Sequence, residues 1–166
     1  MKMSNKPQAI RYRIDRSDPC GAETCYVIID DTGVTGLIRS DYALVEVHNP
    51  DGAWVRYAPA LRTRRWPLRV GDTWDEPVTI ETSSGQRQQA RLKGNVVGYE
   101  SVSVPAGAFM AFKIVLALDG RQFRDDWYAP ETRTVVRRIG YDARGNQTVL
   151  ELVDYQRSNE PAGGTP

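Results

Sequence analysis

Residues 102–118, with the sequence VSVPAGAFMAFKIVLAL, carry the clearest signal for the fold, together with the Asp-Gly pair at 119–120 that follows them. The Pro-Ala-Gly segment at 105–107 predicts a tight turn between a short strand and a long one, because proline presets φ and glycine accepts a positive φ. Asp-Gly is the sequence preferred in two-residue type I′ hairpin turns. The stretch therefore predicts antiparallel strands joined by short turns.

The same pattern extends outward from this stretch in both directions. Apolar and polar residues alternate with a period of two, and turn residues recur roughly every eight to fifteen positions. Asn-Pro-Asp-Gly at 49–52 and Ser-Ser-Gly at 83–85 predict tight turns. Gly94 and Gly98 lie inside a predicted strand, where glycine usually marks a bulge or a bend. The predicted strands are residues 10–14, 25–29, 34–38, 42–47, 53–57, 73–82, 86–99, 102–104, 109–118, 121–128, 134–139 and 147–155.

No segment shows helical periodicity, and residues 58–70 contain two prolines that forbid a regular central strand. We expect this segment to be an extended crossing between two halves of one sheet. The fold class expected is all-β, a curved antiparallel sheet or half barrel with little or no helix. The expected organisation is a single β-domain at 8–157, with disordered tails at 1–7 and 158–166.

The composition is that of a globular protein. The chain has 166 residues, of which 40% are hydrophobic and 26% charged, and its formal net charge is +1. A nucleic-acid-binding domain is normally strongly basic, so we expect no nucleic-acid partner. No apolar stretch approaches the roughly 20 residues that span a bilayer, and we expect at most a peripheral association with a membrane.

Cys20 and Cys25 are the two cysteines of the chain, and Gly21 between them can supply a turn. A disulfide between them is geometrically feasible and favours an oxidising compartment, whereas two reduced thiols are the alternative. A metal site would need further ligands, and the chain contains one histidine. We therefore expect neither a metal nor a cofactor.

The residues able to carry chemistry do not form a recognisable catalytic set. His48 is expected to be a surface residue of a turn, and no aligned nucleophile is evident. Asp125 and Asp126 are neighbours on a strand, so they point to opposite sides and we expect each to be a solvated charge with an arginine partner. Trp66 is expected to anchor the core, while the arginines around it are solvated or, as the alternative, bind phosphate or stack on a base. These arginines are Arg62, Arg64, Arg65 and Arg69.

Three segments, in order, resemble a widespread group of uncharacterised bacterial β-domains, many of them on exported proteins or lipoproteins. The first, at 67–74, fits P-L-x-V-G-x-x-W, and the second, at 97–114, fits V-G-x-E-x-V-x-V-P-A-G-x-F-x-A-x-K-I. The third begins with W-Y-A-P at 127–130 and continues to V-x-R. The likeness covers roughly residues 61–155 and implies a long antiparallel sheet curled into an open or half barrel. Similar curled sheets occur in bacterial lipoprotein carriers, where the concave face holds acyl chains.

The function expected first is that of a non-enzymatic envelope protein that binds a lipid or another apolar small molecule on a concave sheet. Trp74, Phe109, Phe112 and Trp127 are the predicted ligand-binding residues, because tryptophans in a curved sheet either fill the core or line an apolar cavity. The alternative is a module for protein interaction or assembly, which binds a protein partner through exposed sheet edges or the convex face.

The expected location is the periplasm or the cell envelope, with the cytoplasm as the alternative. The segment at 1–7, MKMSNKP, lacks the apolar core of a signal peptide. An envelope location therefore requires an export signal outside this sequence.

Overall fold

The computed structural model describes residues 11–156, which form one open, eleven-stranded antiparallel sheet. Strands follow one another across the sheet in chain order, and none of these residues is helical, so none forms a helix able to span a membrane. The prediction of an all-β, curved antiparallel sheet is confirmed. The predicted tails at 1–7 and 158–166 lie outside the described residues. The strands are β1 (Tyr12–Cys20), β2 (Glu23–Asp30), β3 (Thr35–Arg39), β4 (Leu44–His48), β5 (Trp54–Leu61), β6 (Thr73–Thr82), β7 (Arg87–Val104), β8 (Gly107–Leu118), β9 (Arg121–Ala129), β10 (Thr134–Tyr141) and β11 (Gln147–Glu151).

The hairpins on either side of β8 have the turns that the sequence predicts. Val104 pairs with Gly107 across the β7–β8 turn, and Gly107 adopts a φ of 137°. Asp119 and Gly120 both have positive φ, 50° and 77°, as a type I′ turn requires. The short strand predicted at 102–104 is not separate: it is the last part of β7, which runs for 18 residues.

The two glycines inside β7 have different roles. The register between β7 and β8 shifts between Val96 and Gly98, which confirms the predicted bulge there. Gly94 lies opposite Trp74 in a regular part of the ladder, and a Cβ at Gly94 would overlap the indole ring. Glycine at position 94 therefore makes room for a large side chain and produces no bulge.

The sheet is strongly curled, and its concave face holds the main apolar cluster. Tyr57 of β5 lies near enough to Arg124 of β9 for the guanidinium to act on the pKa of the phenol. In a flat sheet, strands four positions apart would be about 19 Å from each other, because neighbouring strands are about 4.8 Å apart. The buried members of the cluster are Leu61, Trp74, Val78, Ala90, Leu92, Val96, Ile114, Leu116 and Tyr128.

A second apolar cluster lies on the convex face of β7 to β10. Its buried members are Val102, Phe109, Ala111, Trp127, Ala129 and Val136. The chain after β11 leaves the sheet and covers this cluster, so the strand predicted at 147–155 ends early, at Glu151.

Two backbone hydrogen bonds and one ring contact hold this C-terminal segment in place. The amide of Ala106 donates to the Leu152 carbonyl oxygen at 3.0 Å, and the Leu152 amide donates to the Val136 carbonyl oxygen at 2.8 Å. The ring of Tyr155 packs edge-on against that of Phe109, with centroids 5.9 Å apart.

Candidate functional site

The four residues predicted to bind a ligand are divided between the two faces of the sheet. Trp74 pairs with Gly94, which in turn pairs with Leu116, and Phe112 lies on the same side of β8 as Leu116. Trp74 and Phe112 therefore share the concave face. Phe109 is an odd number of residues from Phe112 on a regular stretch of β8, and it lies on the convex face.

Trp127 also lies on the convex face, because it pairs with Lys113. Its indole Nε1 donates to Glu100 Oε1 at 2.7 Å, and the Lys113 ammonium lies 5.0 Å from the ring centroid. The four residues consequently do not line one pocket, and their role in ligand binding stays a prediction.

The concave face carries a charged cluster built around Asp126, which is fully buried at 0% exposure. Arg138 donates to both carboxylate oxygens, from Nε at 2.7 Å and from Nη2 at 3.2 Å. Arg124 Nη2 lies 3.3 Å from Asp126 Oδ2. One guanidinium from β9 and one from β10 therefore contact the same buried carboxylate, and these partners offset the cost of burying its charge.

Arg64 brings a third guanidinium to the same place from the connection between β5 and β6. Its guanidinium carbon lies 4.9 Å from the Tyr42 ring centroid and 5.2 Å from that of Tyr128. Arg64, Arg124, Arg138 and Asp126 are hereafter the arginine cluster. Three guanidiniums and one carboxylate leave this cluster with a formal surplus of two positive charges.

The pKa shifts in the cluster follow from burial and from this surplus. Burial lowers the pKa of Arg124 to about 10; Asp126 opposes that shift, and the charges of Arg138 and Arg64 add to it. Burial likewise lowers the pKa of Arg64. Burial alone would raise the pKa of Asp126, but Arg124 and Arg138 outweigh it and hold that pKa below its ordinary value. Arg124, with a pKa of about 10, is therefore charged at neutral pH, and so is Asp126.

The connection between β5 and β6, which contains Arg64 and Trp66, differs from the sequence prediction. Trp66 was expected in the core with solvated arginines around it, but the Trp66 side chain is 44% exposed. Its ring rests edge-on against Tyr128 at 5.1 Å, and its Nε1 donates to the Asp41 carbonyl oxygen at 3.3 Å. In the same segment, Arg64 lies over the Tyr42 and Tyr128 rings.

The concave face of the first four strands is apolar and only partly covered. Strand pairing places Ile14 opposite Ile28, and Tyr26 opposite Ile38, on the face that carries the main cluster. Ile14 is 65% exposed, and the others are half-buried. Among the described residues, none of these side chains belongs to either apolar cluster. We call this surface the N-terminal concave patch: Ile14, Tyr26, Ile28, Ile38 and Val47.

The patch and the arginine cluster lie close together. Tyr12 of β1 pairs with Asp30 and shares the concave face with Ile14. Burial raises the pKa of Tyr12, while the charge of Arg138 on β10 acts on the same hydroxyl in the opposite direction. The curl of the sheet therefore brings β1 towards β10.

Two open depressions elsewhere on the described surface have a different character. One, of about 400 Å³, lies between Arg121 and the turn after Tyr141. The other, of about 450 Å³, lies over β6 to β8 and is lined by Asp75, Lys93 and Val115. Both are shallow, and neither adjoins the arginine cluster. Within residues 11–156, no three or more His, Cys, Asp or Glu side chains are placed to hold a metal ion.

Cys20 and Cys25 are joined by a disulfide across the β1–β2 turn, with their Cα atoms 5.7 Å apart. Gly21 in that turn has a φ of 67°. Cys25 is fully buried, and it pairs with Asp18 and with Arg39 across the sheet. The bond therefore links the edge strand β1 to the interior of the sheet.

Fold and site together define an open, eleven-stranded antiparallel meander with a charged cluster and an apolar patch on its concave face. The chain matches no family model and no curated protein. Among solved structures it is similar to a crystal structure described as a putative lipoprotein from Parabacteroides distasonis, with 11% identity over 84% of this chain and 83% of the other. The TM-score is 0.36, and at that value the likeness carries no argument about function.

Sequence reasoning missed the arginine cluster, although it separated Asp125 and Asp126 correctly onto opposite faces. Asp125 bonds to Gln122 Nε2 and the Tyr141 hydroxyl, whereas Asp126 bonds to Arg138. Both carboxyls are buried, contrary to the expectation that they are solvated. The alternation of β9 places Arg124, Asp126 and Tyr128 on one face of the strand, and the sequence contains that pattern. It indicates a buried charged cluster only when the strand pairing is known, because the partners on β8 are then seen to be Leu116, Ile114 and Phe112.

Proposed function

We propose that this protein is a non-enzymatic envelope protein that binds a lipid-like, apolar ligand on the N-terminal concave patch. The observation that carries the proposal is the patch itself: Ile14, Ile28 and Ile38 lie on one face of three adjacent strands, and within residues 11–156 no buried cluster covers them. Covering such side chains gains about 25 cal/mol for each Å² of apolar area. An elongated apolar molecule lying across β1 to β4 would supply that cover.

The ligand does not enter the centre of the concave face in this proposal, because side chains already fill it. Trp74 is 4% exposed, and Leu92 and Leu116 are buried beside it. The indole Nε1 of Trp74 is also committed to the Arg62 carbonyl oxygen at 3.0 Å. The ligand therefore lies beside this core and uses the core as one wall.

The envelope location in this proposal rests on the disulfide between Cys20 and Cys25, since such bonds persist in oxidising compartments. Partner binding through the sheet edges has weaker support. The edge strand β1 carries Arg13, Asp15, Arg16 and Asp18 in exposed ion pairs, and charges on an edge strand disfavour pairing with a further strand.

A binding titration with a neutral apolar dye tests the proposal. N-phenyl-1-naphthylamine is added to the full chain, and its fluorescence gain is followed. Saturable binding with one site per chain is expected. Native mass spectrometry of protein exported to a periplasm provides a second readout, in which a lipid-mass adduct is expected to be lost on denaturation.

Two adjacent isoleucines on β2 provide matched variants. Ile28 is on the concave face, whereas Ile29 pairs with Arg13 and Thr35 on the convex face, and both are half-buried. Ile28→Gln is expected to weaken dye binding about tenfold or more, and Ile29→Gln to leave it unchanged. Equal effects of both variants, or no saturable binding by the parent chain, would reject the concave patch and favour partner binding through edges.

A further inference from the structure

We propose that the arginine cluster is an anion site that binds the carboxylate or phosphate head group of an amphiphilic ligand. This proposal rests on the function proposed above, because the apolar chain of the same ligand would occupy the N-terminal concave patch. It adds the chemical class of the ligand: an apolar chain that ends in an oxyanion.

The cluster has more buried hydrogen-bond donors than acceptors for them. Both oxygens of Asp126 are already used by Arg138 and Arg124. Arg64 stacks between two tyrosine rings, and the Nε atoms of Arg64 and Arg124 are buried without a hydrogen-bond partner among the described residues. Buried donors without a partner are costly, and an oxyanion is the natural acceptor for several guanidiniums.

The formal charge of the cluster also favours an anion. Three guanidiniums repel one another inside a curled sheet, and this repulsion adds to the lowering of the pKa of Arg124. One carboxylate leaves two positive charges uncompensated within the cluster. An incoming anion would relieve that repulsion in a poorly hydrated place, where electrostatic attraction is strong.

Two arginines of the cluster are partly exposed to solvent. Side-chain exposure is 16% for Arg124 and 32% for Arg138, so the cluster keeps contact with solvent on the side of these two residues. That side is where Tyr12 of β1 comes under the influence of Arg138. A ligand with its chain along Ile14 and Ile28 could therefore place its head group at the guanidiniums.

Arginine selects this head-group chemistry over a neutral or cationic one. Its planar fork matches the two oxygens of a carboxylate or phosphate and cannot accept a hydrogen bond from a hydroxyl group. Free inorganic phosphate shares this chemistry with a lipid head group, and the experiment has to separate the two sources.

Calorimetric titration of the full chain with three probes makes that separation. The probes are decanoate, 1-decanol and inorganic phosphate. Decanoate carries both an apolar chain and a negative charge, 1-decanol carries the chain alone, and phosphate carries the charge alone. We expect decanoate to bind at least about tenfold more tightly than 1-decanol, because one charge-assisted hydrogen bond is worth roughly that factor.

Arg64→Gln is the test variant, and Arg65→Gln is its control. Arg64 can be replaced without uncovering Asp126, which keeps both of its shorter partners. Arg65 is the next residue, is exposed, and pairs at 2.8 Å with Glu76, a residue outside the cluster. Arg64→Gln is expected to weaken decanoate binding about tenfold and to leave 1-decanol binding as it was. Arg65→Gln is expected to change neither.

The outcomes distinguish the two proposals. Equal affinities for decanoate and 1-decanol, with no effect of Arg64→Gln, would keep the apolar site and overturn the anion site. Phosphate binding that depends on Arg64, with neither amphiphile bound, would support a site for free anions and overturn the apolar site. No binding of any probe would overturn both.

Discussion

At the residue scale, Asp126 is the carboxylate that pairs with two arginines of the arginine cluster. Asp126→Asn would leave Arg64, Arg124 and Arg138 without a carboxylate in a buried place. We expect a loss of about 3–5 kcal/mol in the free energy of unfolding, the usual result when one partner of a buried ion pair is removed. Urea denaturation followed by tryptophan fluorescence measures it.

Asp75→Asn is the matched control for that substitution. Asp75 also pairs with two cations, Arg91 at 2.9 Å and Lys93 at 3.8 Å, but these partners are exposed. Exposed pairs contribute about 0–1 kcal/mol, so a small change is expected. Equal losses for the two variants would contradict the buried character of the arginine cluster.

A second residue-scale feature is the close approach of the Trp74 ring to the backbone of Gly94. Gly94→Ala would drive a methyl group into the indole, and overpacking of this kind costs about 1–3 kcal/mol. Gly98→Ala, four residues along the same strand, meets no atom within 4 Å and should change stability by less than about 1 kcal/mol. Thermal unfolding compares the two; a Gly94→Ala variant as stable as the parent would refute the contact.

At the scale of elements, the disulfide secures the edge hairpin β1–β2. Cross-linking a loop this short removes about 2 kcal/mol of chain entropy from the unfolded state. Reduction with dithiothreitol is therefore expected to lower the free energy of unfolding by about that amount. A Cys20→Ala/Cys25→Ala variant should have the lower free energy of unfolding already without dithiothreitol, and the reductant should not change it further. If dithiothreitol does destabilise this variant, the loss of stability in the parent chain has a cause other than this disulfide.

Also at this scale, the strands differ in how much apolar packing holds them. β6 to β9 supply most of the main cluster, whereas Ile14, Ile28 and Ile38 of β1 to β3 lie outside it. Because local opening follows the density of buried contacts, amides of β7 and β8 should exchange hydrogen much more slowly than those of β1 and β3. Mass-resolved exchange measures this, and uniform protection across all strands would argue that the patch is already covered.

At the scale of the whole molecule, stability should decline in acid. The pKa values of Asp30, Glu46, Asp126 and Asp142 all lie below their ordinary values. Burial by itself would raise the pKa values of Asp30, Glu46 and Asp126, but hydrogen bonds or arginine charges outweigh that effect. The pKa of Asp142 is lowered mainly by hydrogen bonds from Asn146. The stabilisation is therefore complete above an unfolded-state pKa of about 4 and is lost as the pH falls through the lower folded-state values.

Urea midpoints at about pH 7, 5 and 3 check this decline. The urea midpoint should be the same at the two higher pH values and lower at the most acidic one. Asp126→Asn should reduce the fall of the urea midpoint in acid, because the asparagine at this position does not titrate. A parent profile that rises in acid would contradict the direction of these shifts.

The sequence by itself determined that the chain forms antiparallel strands, and it located several strands and tight turns, although the bounds of other strands differ. Residues 73–82 were predicted as the strand that the structure contains, and the Asp-Gly turn at 119–120 formed as expected, because alternation and turn chemistry are local properties. Only the tertiary structure decided which face is concave and which charges are buried. Arg64 and Asp126 are far apart in the chain, and the curl of the sheet brings them close enough for each charge to act on the pKa of the other group. Curvature depends on bulges and packing summed over many strands, and no single segment of sequence encodes it.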